Sequence, residues 1–100
     1  MPAPLTATQR RHLRTLAHPL KPVVLLGAKG LTDPVVAEVA GALEHHELVK
    51  VKMAAEDRDS RDAAIAELAR RCDAALVQRV GHTATLYRRN SEKPRIVLPR

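Results

Sequence analysis

The sequence predicts one α/β domain of the α+β kind, with elements in the order α-β-α-β-α-β-β and helices packed on a mixed sheet. Three segments carry apolar residues at i, i+3, i+4 and i+7, which is the pattern of a helix with one buried stripe. Around them stand an unbroken apolar run, Val23-Val24-Leu25-Leu26, an alternating run from Leu48 to Ala54, and two strand-like runs that meet at Gly81. One hundred residues suffice for one modest core, and with no Phe, no Trp and a single Tyr87 that core is built from Leu, Val, Ile and Ala.

The first helix opens with Thr6-Ala7-Thr8-Gln9, a capping box preceded by Leu5 as a staple residue. Its stripe is Leu13, Leu16, Ala17 and Leu20, and His18-Pro19 ends it. Val23 to Leu26 does not alternate, so we expect a strand covered on both faces. The second helix runs from about Pro34 to His46, capped by Thr32 or Asp33, with Val36, Val39, Ala40 and Leu43 inward. Gly41 within it is read as a place of close packing. In Leu48 to Ala54, Val49, Val51 and Met53 share one face, and Leu48, Lys50 and Lys52 the other.

Glu56 to Asp62 reads as a charged loop, with Asp59 capping a third helix whose stripe is Ile65, Leu68, Ala69 and Cys72. Ala74 to Val80 and His82 to Arg88 form a hairpin, in which alternation puts Ala75, Val77 and Arg79 on one face. Ile96-Val97-Leu98 is a short edge strand or an ordered tail. Helical crossovers between strands make the first two strands parallel, whereas the hairpin is antiparallel.

The net charge is +6, and its distribution is uneven. Residues 1–30 hold five bases and no acid, residues 31–73 six bases and ten acids, and residues 74–100 six bases and one acid. Basic ends around an acidic middle suggest a face meant for a polyanion, either a nucleic acid or an anionic membrane surface. No stretch reaches the roughly 18 apolar residues of a membrane span, and Met1-Pro2-Ala3-Pro4 lacks the regions of a signal peptide. A cytoplasmic protein is expected, and the lone Cys72 fits a reducing compartment.

Gly27-Ala28-Lys29-Gly30 lies between a strand and a helix start. Two glycines there are often only a tight connection. They also let backbone N–H groups, a lysine and the positive helix end approach a phosphate together. The loop lacks the length and the Gly-Lys-Ser/Thr ending of a P-loop, so nucleotide hydrolysis is not expected. His45 and His46 project about 100° apart on a helix and have no partner motif, so no metal site is expected. Glu56, Asp57, Asp59 and Asp62 cluster in polar surroundings without a nucleophile or its base, so neither an enzyme, a cofactor nor a small-molecule substrate is expected.

With these segments in place, the chain resembles the CRM domain family in its short, stand-alone bacterial form, often called YhbY-like. The resemblance rests on Leu16-Ala17-His18-Pro19-Leu20-Lys21-Pro22, on Gly27 to Thr32, on Leu43 to Lys52, and on Leu86-Tyr87-Arg88. It covers most of the chain and implies one RNA-binding domain over residues 5–100, with a fold similar to the C-terminal domain of translation initiation factor three. It further implies that Gly27-Ala28-Lys29-Gly30 is the RNA-contacting loop, comparable to the Gly-x-x-Gly loop of KH domains. Stand-alone members of the family are linked to precursors of the large ribosomal subunit, so ribosomal RNA is the expected partner.

Scarcity of aromatic rings argues against stacking readers of single strands and for contacts to phosphates and 2′-hydroxyls. The expected contact set is Gly27, Ala28, Lys29, Gly30 and Thr32 with Lys21, Arg10 and Arg14 before the loop, and Arg88 and Arg89 from the last hairpin. Two alternatives stay open. One is a basic protein–protein interaction module, and the other a DNA-binding protein that works through the first helix.

Overall fold

The computed structural model describes residues 5–27, 30–54, 57–90 and 92–99. Its elements are α1 (Ala7–Ala17), β1 (Val24–Leu26), α2 (Asp33–His46), β2 (Leu48–Met53), α3 (Arg58–Arg71), β3 (Ala75–Val80) and β4 (Thr83–Tyr87). This is the α+β order expected from the sequence. The four strands form one sheet in the order β1-β2-β4-β3, with β1 parallel to β2 and the other pairs antiparallel.

Each helix starts where a side chain can satisfy its first free N–H groups. Thr6 Oγ1 accepts from Gln9 N at 3.1 Å while Gln9 Oε1 accepts from Thr6 N, completing the capping box of α1. Thr32 Oγ1 accepts from Val35 N and so caps α2. Asp57, not Asp59, caps α3, with its carboxylate accepting from both Ser60 N and Ser60 Oγ. The stretch Arg58–Asp62, expected as loop, is therefore the first turn of α3. Polar first-turn residues carry no apolar period, which hid the helix start from a reading based on the stripe.

The helices lie on both sides of the sheet. Helix α2 packs on β1 and β2 and α3 on β3, enclosing Val39, Leu43, Val49, Val51, Met53, Ile65, Leu68 and Leu86. On the opposite side α1 crosses β2, β3 and β4, and Leu13, Ala17, Leu48, Val77 and Tyr87 form a smaller cluster that Ile96 and Leu98 extend. Ile96–Leu98 thus belongs to an ordered tail and not to a strand.

Three further expectations are corrected. Val24 and Leu26 are buried, but Val23 and Leu25 are 56% and 59% exposed. Strand β1 stands at the sheet edge, and α1 does not reach across to cover its outer face. Gly41 is exposed, and a Cβ there would meet nothing within 4 Å, so close packing does not explain it. In β3 the pairing with β4 slips between Leu76 and Gln78, inserting Val77 as a bulge. Val77 stays on the α1 side, in one cluster with Tyr87, and the extra residue turns Gln78 to that side too, so Arg79 falls on the other face and pairs with Asp62 of α3 at 2.5 Å.

The tail is held by a buried acid. Glu47 ends α2 with φ +63°, a left-handed conformation uncommon outside glycine, and it is fully buried. Its carboxylate accepts from Asn90 N and Arg95 N at 2.6 Å and from Ile96 N at 2.7 Å. Burial pushes its carboxyl up, but the three N–H donors and the charge of Arg95 outweigh this and hold it below its ordinary 4.5.

Candidate nucleic-acid interface

Gly27 directly follows β1, and the loop it opens is closed by a hydrogen bond from Gly30 N to Gly27 O at 2.9 Å. Ala28 and Lys29 lie outside the described residues. Gly30 has φ +74°, so its glycine is explained by the turn. Gly27 differs. Its φ is not in the positive region, and a Cβ there would meet none of the described residues within 4 Å. Neither backbone conformation nor internal crowding calls for glycine at this exposed position.

The helix end beside the loop is less open to an anion than its sequence suggests. Thr32 Oγ1 is engaged in the cap, Pro34 brings no N–H, and Asp33 sits in the first turn and pairs with Arg71 of α3 at 2.7 Å. A carboxylate already occupies the field of the helix N-terminus.

The expected basic flanks divide into two kinds. Arg14, Lys21 and Arg89 are exposed, and their side chains make no hydrogen bond or ion pair with the described residues. Arg10 instead donates through Nη1 to Leu76 O and Val77 O, at the place where the register of β3 shifts. Arg88 donates to Cys72 O at 3.1 Å, Ala40 O at 3.2 Å and Glu44 Oε2 at 2.9 Å, joining β4 to α2 and the end of α3. Both guanidinium groups are committed to the fold.

Position separates the residues further. Tyr87 pairs with Leu48, and Thr83 with Lys52, so the end of β4 that leads to Arg88 and Arg89 is opposite the end near the glycine loop. From strand rise, Arg89 stands about 15 to 20 Å from the loop end of the sheet. Arg14 instead faces a groove between α1 and the sheet, lined also by His18, Lys50, Gln78, Thr83 and Thr85. The alternation Leu48-Lys50-Lys52 signalled this basic sheet face, although not its continuity with α1.

Tyr87, the single aromatic residue, is buried beneath α1, and burial, followed by the charge of Glu47, pushes its hydroxyl above its ordinary value. Among the described residues no Phe, Tyr or Trp ring is therefore offered for base stacking. Cys72 is buried under α2 and burial likewise raises its thiol, so it is poorly suited to act as a nucleophile. Among the described residues no group of three or more His, Cys, Asp or Glu is placed to hold a metal ion, and no helix is long and apolar enough to cross a membrane.

The fold is a three-helix α+β domain with a glycine loop following its edge strand and, among the described residues, basic side chains without partners on α1 and before β1. The chain belongs to the CRS1/YhbY (CRM) domain family, whose profile matches residues 5–88. It is 49% identical over 96 residues to a Haemophilus influenzae protein named "RNA-binding protein", with 96% of each chain covered. It is 35% identical to Bacillus subtilis YqeI, named "probable RNA-binding protein", over 95% of this chain and 99% of that one. Its fold is similar to the solution structure of a Staphylococcus aureus protein described as a candidate RNA binder. The TM-score is 0.83 at 32% identity, covering 95% of this chain and 99% of the other.

Proposed function

We propose that this protein binds structured RNA through the Gly27–Gly30 loop, with Lys29, Arg14 and Lys21 meeting phosphates, and that it acts on precursor RNA of the large ribosomal subunit during assembly in the cytoplasm. The observation that carries the reading is Gly27, an exposed glycine that the fold itself does not need. A missing side chain at such a place lets a sugar–phosphate backbone come close. The names of the relatives favour RNA over other polyanions, and the lack of an exposed Phe, Tyr or Trp ring among the described residues favours phosphate and sugar contacts over stacking. Arg10 and Arg88 act in this reading as structural ties, and Arg89 as a peripheral base. No step requires a cofactor or catalysis.

A second reading, a protein-docking module, draws on one specific feature. Leu16, Leu20 and Val23 line an exposed apolar groove with Lys21 and His46 at its edge. Capture from lysate at low salt, with sequencing of bound RNA and Lys29→Glu as the paired control, separates the two. Enrichment of precursor large-subunit RNA that the variant loses is the expected result. Proteins captured alone, unaffected by nuclease or by the substitution, would overturn it.

A further inference from the structure

The register of the sheet creates a surface that the loop alone does not account for. Leu25, Lys52, Thr83 and Val80 stand side by side across all four strands, and Lys50, Thr85 and Gln78 form the next row. Helix α1 covers the row after that, Leu48 and Tyr87, reaches the second row far enough that Thr85 is buried, and stops short of the first. Leu25 and Val80 are consequently 59% and 61% exposed. Between α1 and the uncovered row runs a groove of about 410 Å³ lined by Arg14, His18, Lys50, Gln78, Thr83 and the buried Thr85 among others. Its volume is in the range of sites that admit a small-molecule-sized group, so a nucleotide unit can enter it.

Its chemistry is one-sided. Among the described residues no acid lines it, and Lys52 extends the positive charge toward β1. Lys50 is held by donating to Leu20 O at 3.1 Å, which uses one of its three protons. Gln78, Thr83 and Thr85 make no side-chain hydrogen bond to the described residues. Hydroxyl and amide groups beside fixed cations match a ribose–phosphate strand, which offers hydroxyls between its anions. The groove also leads to the loop: Lys52 is paired with Leu25, two residues before Gly27 and one strand spacing, about 5 Å, away.

We propose that this groove holds a ribose–phosphate strand of the RNA engaged by the glycine loop, with Arg14 and Lys52 on its phosphates and Thr83 and Gln78 on its 2′-hydroxyls. The proposal rests on the RNA-binding reading above and adds to it a means of distinguishing RNA from DNA. Loop contacts to phosphate are blind to that difference, whereas a hydroxyl reader is not.

The test is titration at low salt of a labelled RNA hairpin and a DNA hairpin of the same sequence against wild type, Thr83→Val, Lys52→Gln and Lys29→Glu. Both groove positions are at the sheet surface, and unchanged thermal melting verifies that each variant is folded. Thr83→Val is expected to lower RNA affinity about three- to tenfold, the range for one lost hydrogen bond, and to leave DNA affinity unchanged. Lys52→Gln is expected to weaken both and to lower the salt slope by about one. Groove variants that bind RNA like wild type, while Lys29→Glu does not, would overturn the groove and leave the loop reading standing. Equal affinity of wild type for RNA and DNA would overturn the hydroxyl role. Repeating the lysate capture with the groove variants supplies the other outcome: a bound protein that they lose while RNA binding stays intact would make the groove a protein site and overturn the proposal. A wild type that binds neither hairpin would overturn the RNA reading and the groove with it.

Discussion

Replacing Glu47 by Gln changes one atom and removes one charge, and its effect can be worked out bond by bond. Glu47 Oε1 accepts from Arg95 N and Ile96 N, and Oε2 accepts from Asn90 N. A glutamine can keep the first pair only by turning its NH₂ toward the Asn90 N–H, where two donors face each other with no acceptor. The loss of one hydrogen bond to a charged acceptor in a buried site is about 1.5 to 3 kcal/mol. For a domain of this size each kcal/mol shifts the melting temperature by about 4 to 8 °C, so a fall of roughly 10 °C is expected at pH 7. The sign with pH follows from the depressed carboxyl. Its stabilisation is present above the ordinary 4.5 and is lost as pH falls through the lower folded value, so wild type and variant should converge in acid. Melting followed by circular dichroism at neutral and acid pH measures this, and amide exchange at Asn90, Arg95 and Ile96 locates it. Equal melting at pH 7 with unchanged exchange at these three amides would refute the clamp.

Two other substitutions test the placement of residues. Gly41→Ala should raise stability by up to about 1 kcal/mol, because the position is helical, exposed and open to a Cβ; a lower midpoint in urea would contradict this. Arg88→Met should destabilise by about 2 to 3 kcal/mol through loss of bonds from a charged donor to Cys72 O and Ala40 O, while the folded fraction keeps its RNA affinity. An RNA-binding defect in a fully stable Arg88 variant would return that residue to the contact surface.

Much of the fold could be read from local chemistry. Thr6 and Gln9 announce α1, Thr32 and Pro34 announce α2, and the buried stripe of α3 falls where its period puts it. What could not be read depends on neighbours distant in sequence. Whether Val23 and Leu25 are covered depends on how far α1 extends across the sheet, and their apolar character does not record it. The bulge at Val77 reverses the face of Arg79, and no turn residue marks it. Arg10 and Arg14 lie one helical turn apart on the same shoulder, yet one meets the carbonyls of a bulge and the other opens on a groove. Charge and spacing could not separate them, because the distinction is made by β3, more than 60 residues further on.

The most direct measurement is the affinity of wild type, Gly27→Ala and Lys29→Glu for one structured RNA, alongside the melting temperature of each. Because a Cβ at Gly27 meets none of the described residues within 4 Å, Gly27→Ala should melt with wild type and yet bind RNA more weakly by about 1 to 3 kcal/mol, the penalty of a methyl group in a closely packed contact. Lys29→Glu should weaken binding too, with affinity falling as salt rises by a slope of about 0.7 to 0.9 per phosphate neutralised. Full RNA affinity in both variants, with wild-type melting, would contradict a loop-centred RNA interface.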